Sequence, residues 1–212
     1  MLPGMASGNA YAGVTILQSL ASAYNGGGTA SLVVSKPTGA ISGDILIGGM
    51  CAALSRTWTG DTGWTEILDQ GTAPSLRAAY LVAGGSEPSS YTFTASSSVA
   101  ASGAIACFRG YTYDTASSSA STLSGDGDLS ISGITVTGGI LIAIVVTDNA
   151  SPVSHSTPSG FQLAGFQGGS GGFGPAVSVF WKQVAAGATG SVTSTIGTTA
   201  GSSSGILIAL KP

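Results

Sequence analysis

The chain has 212 residues, of which 43% are hydrophobic, 7% are charged and 34 are Gly. Ordinary soluble proteins carry roughly 25% charged residues, so this surface is neutral and hydroxyl-rich, while the apolar content excludes a disordered chain and the length supports a real core in one large or two small β-domains. A net charge of −3, with six Lys and Arg scattered along the chain, excludes the basic patch that nucleic-acid binding needs.

Segments of four to eight residues rich in β-branched and aromatic side chains alternate with Gly, Ser, Pro and Asp clusters, which predicts an all-β protein. Residues 1–29 read as an N-terminal arm or edge segment, with Asn25-Gly26-Gly27-Gly28 as a hinge or turn. Strands are expected at Val14–Leu20, Ala30–Ser35, Asp44–Ala53, Thr65–Asp69, Leu76–Val82, Ser90–Ala95 and Gly103–Phe108. After a Ser-rich crossover over Ser117–Gly127, more are expected at Ser130–Val136, Ile140–Thr147, Phe161–Phe166, Ala176–Val184, Ser191–Ile196 and Gly205–Leu210. Tyr91-Thr92-Phe93-Thr94 alternates as a half-buried strand does; Ile45-Leu46-Ile47 and Ile140 through Val146 are apolar throughout and need cover on both faces. The longest apolar run, Gly138 to Thr147, is half the ~20 residues of a spanning helix, so no membrane span is expected. Met1-Leu2-Pro3-Gly4 lacks the basic start of a secretory signal, which points to synthesis and assembly in a cytoplasm.

The chain repeats itself. Gly43-Asp44-Ile45-Leu46-Ile47 returns as Gly138-Gly139-Ile140-Leu141-Ile142, Gly63-Trp64 as Gly160-Phe161, and Gly103-Ala104-Ile105-Ala106 as Gly205-Ile206-Leu207-Ile208, the offset growing from 95 to 102 residues. Loop insertions produce such drift. The fold expected is a two-sheet β-sandwich, jelly-roll-like and built from an internal duplication. Residues 30–212 form a single domain with halves 30–115 and 128–212 that interleave; two separate sandwiches are the alternative.

Few residues suggest chemistry. His155 is the single histidine, in a polar loop, and reads as solvated; a Ser-His-Asp site would need Asp148 beside it. Gly169, Gly171 and Gly174 spell a dinucleotide fingerprint, but a strand rather than a helix follows. Gly125-Asp126-Gly127-Asp128 reads as a solvated turn rather than a Ca²⁺ loop. Asp61, Glu66 and Asp69 gather around Trp64, which would suit a glycosidase pair; Trp64 itself is expected in the core, because Phe161 replaces it in the repeat. Trp58, without a counterpart and in a loop, is with Asp61 the candidate surface contact to a glycan. Cys51 and Cys107 are expected as reduced, buried thiols, a disulfide being the alternative if their strands are neighbours. No catalytic residue, metal or cofactor is expected.

One ordered set of residues carries a resemblance: Lys36-Pro37-Thr38-Gly39, Gly43-Asp44-Ile45-Leu46-Ile47, Gly63-Trp64-Thr65, Tyr80-Leu81-Val82-Ala83, Ser86-Glu87-Pro88, Tyr91-Thr92-Phe93 and Phe108-Arg109-Gly110. It resembles a β-sandwich module of tailed-bacteriophage virion proteins, found in minor capsid, decoration, tail and fibre proteins, across roughly Ala30 to Pro212. The resemblance implies a non-enzymatic structural protein of the virion, a capsid decoration, cement or minor head subunit. Its implied partners are the major capsid or tail proteins of the same virion and further copies of itself, with no nucleic acid and no membrane. The alternative it leaves is a tail or fibre adhesin that binds host surface glycan.

Overall fold

Every regular element is a strand in the computed structural model, which describes residues 16–117, 121–125, 127–148, 155–169, 174–197 and 201–212. In the first half these are β1 (Leu17–Tyr24), β2 (Ser31–Ser35), β3 (Ile45–Ala52), β4 (Trp58–Thr59), β5 (Thr65–Gln70), β6 (Ser75–Val82), β7 (Ser90–Ala95) and β8 (Ala101–Phe108). There follow β9 (Thr112–Ala116), β10 (Ser121–Ser124), β11 (Gly127–Ile131), β12 (Thr135–Val136), β13 (Gly139–Thr147), β14 (Gln162–Gln167), β15 (Ala176–Val184), β16 (Gly187–Ala188), β17 (Val192–Ile196) and β18 (Ser202–Lys211).

The chain is an all-β sandwich protein. A wide sheet in the order β1-β8-β3-β6-β5 is covered by a narrow one, β2-β7-β4. The second half has a wide sheet β10-β18-β13-β15-β14, to whose β18 strand β9 also pairs, and a narrow pair β11-β17. The strand order β8-β3-β6-β5 thus matches β18-β13-β15-β14, and β2-β7 matches β11-β17. The registers agree as well: Ile45 sits between Val82 and Phe108, as Ile140 sits between Gln183 and Leu210.

Three apolar layers lie between the two wide sheets and beneath their narrow covers, and β12 and β16 form a further two-stranded pair. Leu32, Val34, Leu46, Tyr91, Phe93 and Ile105 fill the first sandwich; Leu129, Ile131, Leu141, Phe180 and Leu207 fill the second. Between the wide sheets lie Ile45, Ile47, Ile142, Ile144, Val179 and Ile206, all fully buried. Rather than interleaving, each half closes its own wide and narrow sheet. The central strands explain this. β3 and β13 are apolar on both faces and buried almost along their whole length, so each wide sheet needs a cover on either side. Its own narrow sheet supplies one and the other half supplies the second. At about 1.5–3 kcal/mol per large aliphatic side chain buried, the interface between halves is a core in its own right.

Contacts across that interface are reciprocal. Gly49 of β3 meets Ile144 of β13, its counterpart by register, so closely that a Cβ on Gly49 would lie 2.8 Å from Ile144 Cγ2. Phe108 packs edge-on against Trp181 at 6.3 Å, and Tyr80 stacks at 4.8 Å on Tyr113, the register partner of Leu210. Ser102 Oγ donates to the Pro175 carbonyl at 2.6 Å; in the opposite sense Gln70 Nε2 reaches Ser204 Oγ at 3.1 Å and the Pro74 carbonyl. Exchanged roles of this kind are the mark of a two-fold relation.

The sandwich begins before residue 30, because β1 pairs with β8 from Leu17 to Tyr24. Residues 1–15 of the expected arm lie outside the described residues. The Ser130–Val136 run divides into β11 and β12, and the Ser-rich crossover contains β10.

Candidate functional site

Trp58 is not a surface contact. It is 4% exposed, held by the short β4 strand against β7 through Ala95, with its indole Nε1 donating to Ser75 Oγ at 3.2 Å. Its backbone is fixed by charged groups: Arg77 Nη1 donates to the Trp58 carbonyl at 2.7 Å, and the Trp58 amide donates to Asp69 Oδ2 at 3.0 Å. Arg77, itself buried, also pairs with Glu66 at 2.8 Å. Burial raises the Asp69 carboxyl above its ordinary range, the Trp58 amide and Arg77 acting against it. A two-residue strand is too short to show a period and is indistinguishable from a loop in the sequence. The signal that identifies it is His155, which follows Trp58 by the same 97 residues that separate Trp64 from Phe161; Trp58 therefore does have a counterpart.

Asp61 is not an open contact either. It is a half-buried staple: Oδ1 accepts from the Thr62 amide at 2.8 Å and Oδ2 from the Thr92 amide at 2.9 Å. The three carboxylates near Trp64 are thus each tied to different partners within the scaffold. Trp64 lies in the core as expected, edge-on to Tyr91 and Phe93 at 5.2 Å each.

His155 also departs from the solvated reading. It bridges to Ile196, its Nδ1 lies 2.7 Å from Ser178 Oγ, and its ring meets Phe166 edge-on. Burial lowers its pKa to about 4, so the imidazole is neutral at ordinary pH. Asp148 instead accepts from the Ser202 amide at 2.9 Å. Pro175 and strand β15 follow the glycine motif; Gly171 in it and Asp126 of the acidic turn lie outside the described residues.

A bidentate ion pair closes the first sandwich. Arg109, just past β8, grips Asp44, just before β3, through Nε and Nη2 at 2.8 Å each. Burial pushes the Asp44 carboxyl up, but hydrogen bonds from Arg109, the Ile41 amide and Cys107 together outweigh it and hold it below its ordinary value. The thiols are free. Cys107 stands opposite Leu46 and Cys51 opposite Ser102 on the paired strands β3 and β8, and the two face different core layers, which excludes a disulfide between them. Burial pushes the Cys107 thiol up to about 12 and Cys51 well above its usual value, so both are inert.

Among the described residues, two open clefts lie on the second half. One, of about 470 Å³, is lined by backbone and hydroxyls around Ser117 and Thr135. The other, of about 190 Å³, lies among Pro158, Ser159, Phe161, Lys182, Ser191 and Thr193. Lys182 Nζ sits 4.5 Å from the centre of the Phe161 ring, a cation–π geometry. Among the described residues no carboxylate pairs with Lys182, and no cluster of His, Cys, Asp and Glu suits a metal ion. No protein-family model, curated protein or solved structure matches the chain.

Proposed function

We propose that the chain is a non-enzymatic structural subunit of a tailed-bacteriophage virion, a decoration, cement or minor head protein that stabilises the particle through contacts with the major capsid or tail proteins and with its own copies. The observation that carries this reading is where the motif residues fall. Asp44 and Arg109 clamp β3 to β8. Glu87 binds the Gly84 amide at 2.6 Å and the Tyr91 hydroxyl at 3.0 Å, and Trp64 packs on Tyr91 and Phe93. The residues that carry the resemblance thus hold a sandwich together. The strand orders β1-β8-β3-β6 over β2-β7-β4 and β10-β18-β13-β15 over β11-β17 support two jelly-roll-like units derived by duplication.

The surface suits an assembly. Thr92, Thr94, Thr193 and Thr195 point outward from the narrow sheets, and the exposed large apolar side chains, Val33, Ile41, Leu54, Val82, Leu163 and Phe166, occur singly along the sequence. Such a surface carries little charge to keep copies apart. The adhesin alternative loses its support at Trp58, whose ring is in the core. Quantitative mass spectrometry of purified particles tests the proposal. Hundreds of copies per particle are expected for a head subunit; a handful would move it to the tail, and absence from the particle would overturn it.

A further inference from the structure

We propose that the cleft beneath Lys182 binds the carboxylate of an acidic sugar of the hexuronate type. This goes beyond the particle reading and does not depend on it. The two halves provide the argument, because one holds a carboxylate of its own where the other has an open cleft.

The correspondence follows from counting. In the first half Trp58 pairs with Ala95; in the second His155 bridges Ile196. Three residues after the first member come Asp61 and Pro158; three residues before the second come Thr92 and Thr193. Asp61 places its carboxylate on the Thr92 amide at 2.9 Å. Pro158 has no carboxylate to place on Thr193. The Thr193 N–H faces the same way, since amides two apart on a strand point to one side and the Thr195 amide donates to Ser156 Oγ at 2.6 Å, in the segment leading to Pro158.

A second change accompanies the first. Lys182, opposite Leu141, occupies the register position that Leu81 occupies opposite Leu46. The second half has therefore exchanged an internal carboxylate and an apolar neighbour for an open cleft and a cation. A carboxylate from outside would accept from the Thr193 amide and pair with Lys182 Nζ, which restores the bond made in the first half and adds charge assistance. The cleft holds about 190 Å³; with a liquid share of about 30 Å³ per water, that is more than a bare carboxylate fills. The exposed hydroxyls of Ser159, Ser191 and Thr193 are placed to bond the ring hydroxyls of a sugar. One ion pair at a solvent-open site implies weak binding, with Kd on the order of 1 mM.

The test is an amide-resolved NMR titration of the full chain with glucuronate, with glucose and acetate in parallel. A saturable shift of the Thr193 amide and its neighbours is expected with glucuronate and not with glucose. Lys182→Gln, a half-exposed substitution, should weaken it about tenfold. Pro158→Asp should abolish it by installing the carboxylate that the first half carries. No saturable shift with glucuronate, an equal response to glucose, or binding unchanged in Lys182→Gln would overturn the proposal; acetate binding as tightly as glucuronate would overturn the sugar. Should Pro158→Asp fail to fold, Lys182→Gln and the glucose comparison still decide.

Discussion

His155 and Asp44 show how single buried groups set the acid limit of this protein. Unfolded, an imidazole takes its proton near 6.5; folded, burial makes His155 resist it until about 4. The neutral form is the folded form, so its contribution is complete above about 6.5 and is lost as the pH falls from there to about 4. The Asp44 carboxyl is held below its ordinary value, so its contribution fades only at lower pH, as the pH falls through that depressed folded value. Two acid limbs therefore follow each other. His155→Gln keeps a hydrogen-bonding partner for Ser178 and removes the upper limb. Urea denaturation across that range should show the wild type losing on the order of 2–3 kcal/mol between about pH 6.5 and 4, with His155→Gln nearly flat there. An equal slope in both proteins would mean that another group carries it.

At the scale of strands, Gly139 shows what a repeated sequence does and does not specify. It stands where Asp44 stands, and Lys211 follows Leu210 as Arg109 follows Phe108, so restoring the acid looks like a way to restore the clamp. The backbone forbids it. Gly139 has φ +131°, and a Cβ there would run into the Leu210 carbonyl oxygen. Gly139→Asp should destabilise by about 3 kcal/mol or more in thermal or urea unfolding, whereas a gain in stability would show that the strand end can rebuild. Much of the rest was legible. Ser90–Ala95 and Ala176–Val184 fall where alternation and β-branching place them, and the unbroken apolar runs of β3 and β13 announced cover on both faces. Gly103 and Gly205 recur because Leu32 and Ile131 of the narrow sheets lie over them, 2.7 Å from where a Cβ would be. The two-residue strand at Trp58 was not legible, since its burial comes from Ala95 and Arg77 in distant strands. For the same reason a tryptophan in a polar stretch read as a surface group, and the cleft at Lys182 becomes visible only when Pro158 and Asp61 are seen at one structural position.

At the scale of the whole molecule, the reciprocal contacts between halves make a prediction about connectivity. If each half is completed by the other's wide sheet, the order in which the halves are joined should matter little. The ends permit a different order. The Arg109 amide donates to the Ile16 carbonyl at 3.1 Å, and Thr112 Oγ1 donates to the Lys211 carbonyl at 3.4 Å. Two residues lie between Arg109 and Thr112, and the three Cα steps span at most about 11 Å; with the two hydrogen bonds added, Ile16 and Lys211 lie within about 26 Å of each other. Residues 1–15, joined to Pro212, are more than long enough to bridge that gap. A circular permutant that begins at Ser121, runs to Pro212, continues through Met1 and ends at Ser117 keeps every sheet pairing and every contact of the central core, including Gly49 on Ile144. It should fold to the same all-β structure, with an amide spectrum that matches the parent outside the new junctions and a stability within about 2 kcal/mol of it, loop-closure terms growing only slowly with length. A permutant that unfolds or aggregates would show that the connection from Ser117 to Ser121 does more than join two self-sufficient halves.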